Sequence, residues 1–402
     1  MSAAVRAPHI FLIAGEESGD RLGAALIAAL QQATAGEIVI SGIGGSHMAA
    51  LGVETPFPLG DLAIIGFSSI PSKLPLILRR IRESADAVIA AKPDVLVIID
   101  SPDFTHRVAR RARARMPSIP IIDYVCPSVW AWRPGRARKM IGYVDLVLAL
   151  LPFEPAAMQK LGGPRTVYVG HPLTEQVARL RPSAIEIERR RASPPLMLVM
   201  PGSRSGEIRR LGAVFGQAVA RLSDTAGSLE VVVPTVPRLA EFVTRTVASW
   251  RVPARVVETP EEKEAAFRSA RLALAKSGTS TLELALAGVP MVAAYAISLP
   301  EALVAHAFIT VPSVILANLV LGENVVPELL QFDCTPDKLA AALERLIGDT
   351  PERRRQVEAF ARLDEIMQIG RESPSARAAA FVLEMAAKVR VSPTQRAPTA
   401  KA

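Results

Sequence analysis

The sequence predicts an α/β chain of two Rossmann-like, doubly wound domains facing a cleft. Three observations predict it. Short apolar runs such as Val95–Ile99 and Leu196–Met200 lack polar alternation, as strands buried on both faces of a parallel sheet require. These runs end in loops rich in Gly, Ser or Asp, and a helix begins at once, which is the repeating unit of a wound sheet. The pattern then restarts after a Pro- and Arg-containing stretch, Leu173–Pro195, and 402 residues suit two domains of about 150–200 residues each. The expected division is 1–175, 176–370, and a C-terminal helix with a polar tail over 371–402.

In the first half, His9–Ala14 is a buried strand and Gly15–Asp20 the loop into a helix ending near Gln32. Ile38–Ile40 is a second strand, followed by Gly42-Ile43-Gly44-Gly45, too short in its glycine spacing for a dinucleotide fingerprint. Asp61–Arg82 mixes Leu62, Ile64, Ile65, Phe67, Ile70, Leu74, Leu76, Ile77 and Leu78 with Pro71 and Pro75, then adds Arg79, Arg80 and Arg82. Those letters fit an interfacial segment facing acyl chains, and equally a core helix with a solvated end. Val95–Ile99 ends at Asp100-Ser101-Pro102-Asp103, where two carboxylates are candidates for acid/base work, and Asp103 stands where an N-cap is expected before a helix over 104–116. Ile119–Val125 leads to Cys126-Pro127-Ser128-Val129-Trp130-Ala131-Trp132-Arg133-Pro134, with Arg136, Arg138 and Lys139 beyond. Aromatics interleaved with bases can hold a sugar phosphate, a lipid headgroup or nucleic acid; no nucleic-acid fold accompanies them, so nucleic acid is not expected. Val144–Leu150 and Thr166–Gly170 are further strands, and His171-Pro172 precedes the crossing.

The second half opens with Leu196–Met200 and the loop Pro201-Gly202-Ser203-Arg204-Ser205, which starts a helix containing Glu207. Leu229–Val233, Ala254–Val257, Leu272–Ala275 and Val289–Ala294 continue the sheet, and helices follow from Thr335-Pro336 to Val389. The run Lys276–Pro290 carries the sharpest signal. Ser277 and Gly278 end a strand, and Thr279, Ser280 and Thr281 form the first turn of a helix, so several backbone N–H groups and the helix dipole are offered to phosphate. Glu283, one turn on, can reach ribose hydroxyls. The same letters describe a capped helix start, with Glu283 in a capping box with Ser280.

Composition narrows the partners. A formal charge of +8 and a sequence pI near 9.8 point to an anionic partner, and a mean hydropathy of +0.27 points to contact with lipid. No apolar run reaches the ~18 residues of a membrane-spanning helix, and no secretory signal is evident. Cys126 and Cys334 supply neither a disulfide framework nor a zinc site, so a reducing, cytosolic compartment is expected.

The runs I-A-G-E-E-S-G-D (Ile13–Asp20), K-P-D-V-L-V-I-I-D-S-P-D-F (Lys92–Phe104), C-P-S-V-W-A-W-R (Cys126–Arg133), L-P-F-E (Leu151–Glu154), V-G-H-P-L (Val169–Leu173), P-G-S-R-S-G-E-I (Pro201–Ile208) and K-S-G-T-S-T-L-E resemble the lipid-A-disaccharide synthases. They occur in family order over about residues 10 to 332. Glu17 departs from the family's small or neutral residue, and Ala317 stands before Asn318 where the family has proline. The resemblance implies the GT-B architecture, with a lipid- and acceptor-binding first domain and a UDP-sugar-binding second. It implies transfer from UDP-2,3-diacylglucosamine to 2,3-diacylglucosamine 1-phosphate, giving a β-1,6-linked disaccharide phosphate and UDP. No metal or cofactor is expected, the UDP-sugar being a substrate. The expected location is cytoplasmic, peripheral to the anionic inner face of the inner membrane, with a homodimer left open. Two other classes share parts of the pattern: another GT-B enzyme of UDP-N-acetylglucosamine (a peptidoglycan glycosyltransferase or 2-epimerase), and a non-catalytic nucleotide-sugar or lipid-binding module.

Asp103, Asp100 and Glu16 are the catalytic candidates, with Asp103 put first as general base and His171 assigned to the hinge. Ser203, Arg204, Ser277, Gly278, Thr279, Ser280, Thr281, Glu283 and Asn318 are the expected UDP-sugar contacts.

Overall fold

The computed structural model describes residues 6–62, 70–297 and 311–391. The chain forms two compact units. One runs to Pro172 and regains the chain from Arg371; the other is Leu173–Gly370.

The first unit is a six-stranded parallel sheet of β1 (His9–Ala14), β2 (Val39–Ile43), β3 (Val95–Ile99), β4 (Ile121–Tyr124), β5 (Leu146–Ala149) and β6 (Thr166–Tyr168), in the order 2-1-3-4-5-6. β3 is buried at every position because helices cover both faces. One face holds Ile13, Leu96, Ile98, Val108 and Val147; the other holds Leu12, Leu26, Val97, Leu148 and Val382. Val382 belongs to the C-terminal helix Pro374–Val391, whose Ala378, Ala379 and Ala386 are also buried on that face. Arg377 from the same helix donates to the Tyr168 carbonyl at 2.7 Å, so the last helix is part of the first unit. The order reverses direction between β1 and β3, and such a switch point opens a crevice beyond the carboxyl ends of those strands.

The second unit is also a parallel six-stranded sheet: β7 (Leu196–Met200), β8 (Glu230–Pro234), β9 (Ala254–Val257), β10 (Leu272–Lys276), β11 (Met291–Tyr295) and β12 (Glu328–Leu330), in the order 12-11-10-7-8-9. Counted within the unit this is 3-2-1-4-5-6 read from the β9 edge, the Rossmann order, with the switch point between β7 and β10. β12 is absent from the sequence reading, since three half-buried residues after a proline carry no periodicity and exist as a strand only by pairing with β11.

Three boundaries differ from expectation. Ser18, Gly19 and Asp20 lie inside the helix Glu17–Ala33, in its first turn, not in the preceding loop. The helix after β3 is Pro102–Arg115, with Ser101 and not Asp103 as its N-cap. The stretch read as a crossing contains the helices Val177–Leu180 and Ala184–Arg191. Of the apolar segment, 63–69 lies outside the described residues. The helix Ile70–Ala91 that follows buries Ile81, Ala85 and Val88 while Leu74 and Leu78 are 43% and 40% exposed. Ile77 packs on the core. That helix is therefore core along one stripe and apolar-exposed along another.

Candidate functional site

Asp100, Ser203, Arg204 and Ser277–Thr281 lie at the two switch points, while Asp103 and Asn318 are held elsewhere.

In the first unit, the loops after β1 and β3 touch. A Cβ on Gly15 would stand 2.5 Å from the Ser101 Cβ, so only glycine permits this approach. Ser18 Oγ donates to Asp100 Oδ2 at 2.9 Å, and the Ser101 N–H donates to Asp100 Oδ1 at 2.7 Å. Asp100 and Ser101 both adopt left-handed backbone, φ 54° and 47°. Non-glycine residues in that region cost on the order of 1–3 kcal/mol each, and such strain concentrates where function requires a fixed geometry. Thr105 Oγ1 secures the turn by donating to the Asp100 carbonyl at 2.7 Å, with the Ser101 carbonyl at 3.1 Å. Glu16 occupies the N-cap of the Glu17–Ala33 helix without a side-chain cap bond. Asp20, one turn into that helix, is buried and accepts from the N–H groups of Gly45, His47 and Met48 at 2.7–3.1 Å, fixing the loop after β2.

Asp103 is not brought into this arrangement as expected. It is the second residue of its helix, its side chain is 72% exposed, and Arg136 Nη2 donates to its Oδ1 at 3.3 Å. Arg136 in turn lies over the Trp132 ring, 5.5 Å from its centroid, and Arg133 lies over the same ring at 4.4 Å.

Beneath these loops is a polar layer the sequence reading missed. Asp123 on β4 is buried, and desolvation raises its pKa against the opposing charge of His106. His106 Nε2 lies 3.1 Å from Asp123 Oδ2 without hydrogen-bond alignment, and its Nδ1 is 3.0 Å from the Tyr143 hydroxyl. Glu154, also buried, accepts from Trp130 Nε1 at 3.2 Å and from the Leu151 N–H at 2.9 Å. Burial outweighs those bonds and pushes its pKa up to about 7. The available signal was a lone carboxylate in the otherwise apolar strand I-I-D-Y. His171 is neutral at pH 7, because desolvation lowers its pKa to about 4.

In the second unit, Glu207 organises the switch point. Gly202, at φ 129°, lets the loop after β7 close so tightly that a Cβ there would meet Glu207 Oε2 at 2.4 Å. Glu207 Oε2 accepts from the N–H groups of Ser203 at 3.0 Å and Arg204 at 3.3 Å. Its Oε1 faces Lys276 Nζ at 3.1 Å, which ties the end of β10 to the loop after β7. Burial raises the Glu207 pKa, but the Lys276 charge and the bonds it accepts outweigh that and hold it low. Arg204 meets Glu207 at 3.4 Å and keeps most of its side chain exposed. The sequence places Glu207 on a helix and Lys276 in the turn before one, and gives no sign that they pair; Lys276 is the last residue of β10.

Ser277 Oγ is buried and has no hydrogen-bond partner among the described residues. Gly278 is the N-cap of the helix Thr279–Leu286, with no side-chain cap on its first N–H groups. Thr279 is exposed and Ser280 half-buried, while Thr281 is fully buried and donates to the Gly278 carbonyl at 2.8 Å. Glu283 is not a capping residue; both its oxygens accept from Lys263 Nζ at 3.1 Å. Asn318 is buried with its amide fully engaged: Nδ2 donates to Val326 O and Glu328 Oε1 at 3.0 Å each, and Oδ1 accepts from the Val325 and Val326 N–H groups at 3.1 and 2.9 Å. It therefore shapes the 318–328 turn and has no amide bond left for a ligand, because its four capacities are used.

The first unit thus presents an oriented carboxylate, Asp100, at its switch point, and the second gathers Arg204, Lys276 and the uncapped start of the Thr279–Leu286 helix around Glu207. The family model described as Lipid-A-disaccharide synthetase matches residues 10–384. The lipid-A-disaccharide synthase of Nitrobacter hamburgensis is 59% identical over 383 residues, covering 95% of this chain and 97% of that protein. Among solved structures, Acinetobacter baumannii MurG is similar in fold, with a TM-score of 0.57 and 16% identity over 94% of this chain and 99% of that one. The calicheamicin glycosyltransferase CalG4 is likewise similar, with a TM-score of 0.59 and 18% identity over 96% and 99%.

Proposed function

The chain belongs to the lipid-A-disaccharide synthase family, and we propose from that premise that it is the enzyme joining UDP-2,3-diacylglucosamine to 2,3-diacylglucosamine 1-phosphate. The products are the β-1,6-linked disaccharide 1-phosphate and UDP. The observation that carries the reading of the donor site is the second unit's switch point, where the unpartnered Ser277 hydroxyl, an uncapped helix start and Arg204 converge on Lys276 and Glu207. In the reaction a base takes the proton of the acceptor 6-hydroxyl and the oxygen attacks C1 of the donor sugar. The C1–O bond breaks with inversion, and UDP departs with the electron pair. Charge grows on the pyrophosphate as that bond breaks, so Arg204 and the N–H groups of Gly278 and Thr279 would stabilise the transition state more than the ground state. Glu283 would take the ribose hydroxyls, with Lys263 fixing its carboxylate.

For the base, the geometry favours Asp100 over Asp103. Asp100 sits at the β1/β3 switch point, oriented by Ser18 and by a strained turn, while Asp103 is exposed and already paired with Arg136. Membrane attachment is read from Leu74 and Leu78, exposed one helical turn apart beside Arg79 and Arg82, on a chain with net charge +8. Among the described residues no helix is long and apolar enough to cross a membrane. Incubation with both substrates, following UDP release together with disaccharide by mass spectrometry, tests the reading. UDP release without disaccharide, or neither product, overturns it.

A further inference from the structure

Outside the two switch points, the most unusual side-chain grouping is on the surface of the first unit. Trp132 is 38% exposed, and its indole N–H is held by Ser128 Oγ at 3.1 Å. Arg133 and Arg136 both lie over its ring, at 4.4 and 5.5 Å. Stacking uses the face of a guanidinium and leaves its N–H edge available, in an orientation already fixed. Arg133, in left-handed backbone at φ 55°, has no carboxylate partner among the described residues. Arg136 has one, Asp103, through a single bond at 3.3 Å to a carboxylate that is 72% exposed. Asp103 is three residues beyond Asp100, so this pair of cations stands beside the loop that ends β3.

Resting on the proposed reaction, we infer that Arg133 and Arg136, presented on Trp132, receive the phosphate monoester of the acceptor lipid, and that Asp103 is the resident counter-ion this phosphate displaces. A phosphate monoester carries more charge than a carboxylate and matches two guanidinium edges at once. The long single bond to Asp103 is weak enough to exchange. Asp103 then keeps Arg136 aimed while the site is empty, and is not the base.

The test compares 2,3-diacylglucosamine 1-phosphate with its dephosphorylated form. Binding is read by quenching of tryptophan fluorescence, which needs no turnover, with Trp132→Phe identifying the reporting ring. Wild type should prefer the phosphorylated lipid, and Arg136→Met and Arg133→Met should each lose roughly 10–100-fold in affinity for it. Both should bind the dephosphorylated lipid as wild type does. Asp103→Asn should bind the phosphorylated lipid a few-fold more tightly. Equal losses against both lipids, or no wild-type preference, overturn the inference whether or not disaccharide forms. Preserved phosphate discrimination in a protein that makes no disaccharide overturns the proposed reaction and leaves the phosphate site standing. In a third arm, phosphatidylglycerol vesicles without acceptor are used. If the arginine variants lose vesicle binding but keep discrimination between the lipids, the pair is a headgroup contact and the inference is wrong.

Discussion

Glu154 in the first unit and Glu207 in the second are both buried carboxylates that pin a loop at the carboxyl end of a parallel sheet, yet their charge is driven in opposite directions. Glu154 accepts only from neutral donors, the Trp130 indole and backbone N–H, with Asp123 nearby, so desolvation wins and its pKa rises to about 7. Glu207 accepts comparable backbone bonds but also faces Lys276 and Arg204, and those charges overcome its desolvation. The difference teaches that burial alone does not set the charge of a loop-pinning carboxylate; a cation within about 4 Å does. The first unit keeps buried acids whose pKa values burial raises, and the second keeps a fixed ion pair between Glu207 and Lys276.

The contrast can be broken most severely at the base. Asp100→Asn should lower kcat by roughly 10²–10⁴-fold with UDP affinity retained, while Asp103→Asn stays within a few-fold of wild type. The reverse pattern, measured by UDP release and UDP titration, would return the base to Asp103.

The next effect is on stability. With its folded pKa raised from 4.5 to about 7, Glu154 contributes stability that is full below pH 4.5 and lost as pH rises through 7. The shift corresponds to roughly 3 kcal/mol. Urea melts of wild type and Glu154→Gln between pH 4.5 and 7.5 should show wild type losing stability relative to the variant as pH rises, because glutamine does not titrate. A pH-independent gap between them would show that Glu154 is ionised throughout.

In the second unit, Arg204→Ala should lower kcat by roughly 10–100-fold while UDP binds within a few-fold of wild type, since the leaving-group charge grows only in the transition state. Glu283→Ala should do the opposite, weakening UDP with little further loss in kcat. Unchanged UDP affinity in the Glu283 variant removes that residue from the ribose.

The smallest expected effect concerns the exposed stripe of the Ile70–Ala91 helix. Leu74→Ser with Leu78→Ser should reduce sedimentation with anionic vesicles a few-fold at low salt without changing the unfolding midpoint or UDP affinity. Ile77 is left intact because it packs on the core. A lowered midpoint would place the two leucines in the fold as well.

Sequence alone determined every strand except β12, which exists only by pairing with β11. V-L-V-I-I and L-M-L-V-M are short, wholly apolar and bounded by loop residues, so they read as strands covered on both faces, and the parallel sheets follow from that pattern. The local runs at Ile13–Asp20, Asp100–Phe104, Pro201–Ile208 and Lys276–Glu283 were legible because short-range spacing fixes which residues reach one loop. Only the tertiary structure decided what those residues do. Ser101 takes the N-cap, and Asp103 turns outward to Arg136, because the loop after β1 presses Gly15 against the Asp100–Ser101 turn. Lys276 finds Glu207 across the switch point and Glu283 finds Lys263, and neither partner is a neighbour in sequence. Asn318 is consumed by its own turn, and Asp123 meets His106 only when the Pro102–Arg115 helix folds over β4. Charge states follow from those meetings, because a carboxylate's pKa depends on the cations and donors packed around it, and packing is set by the whole fold.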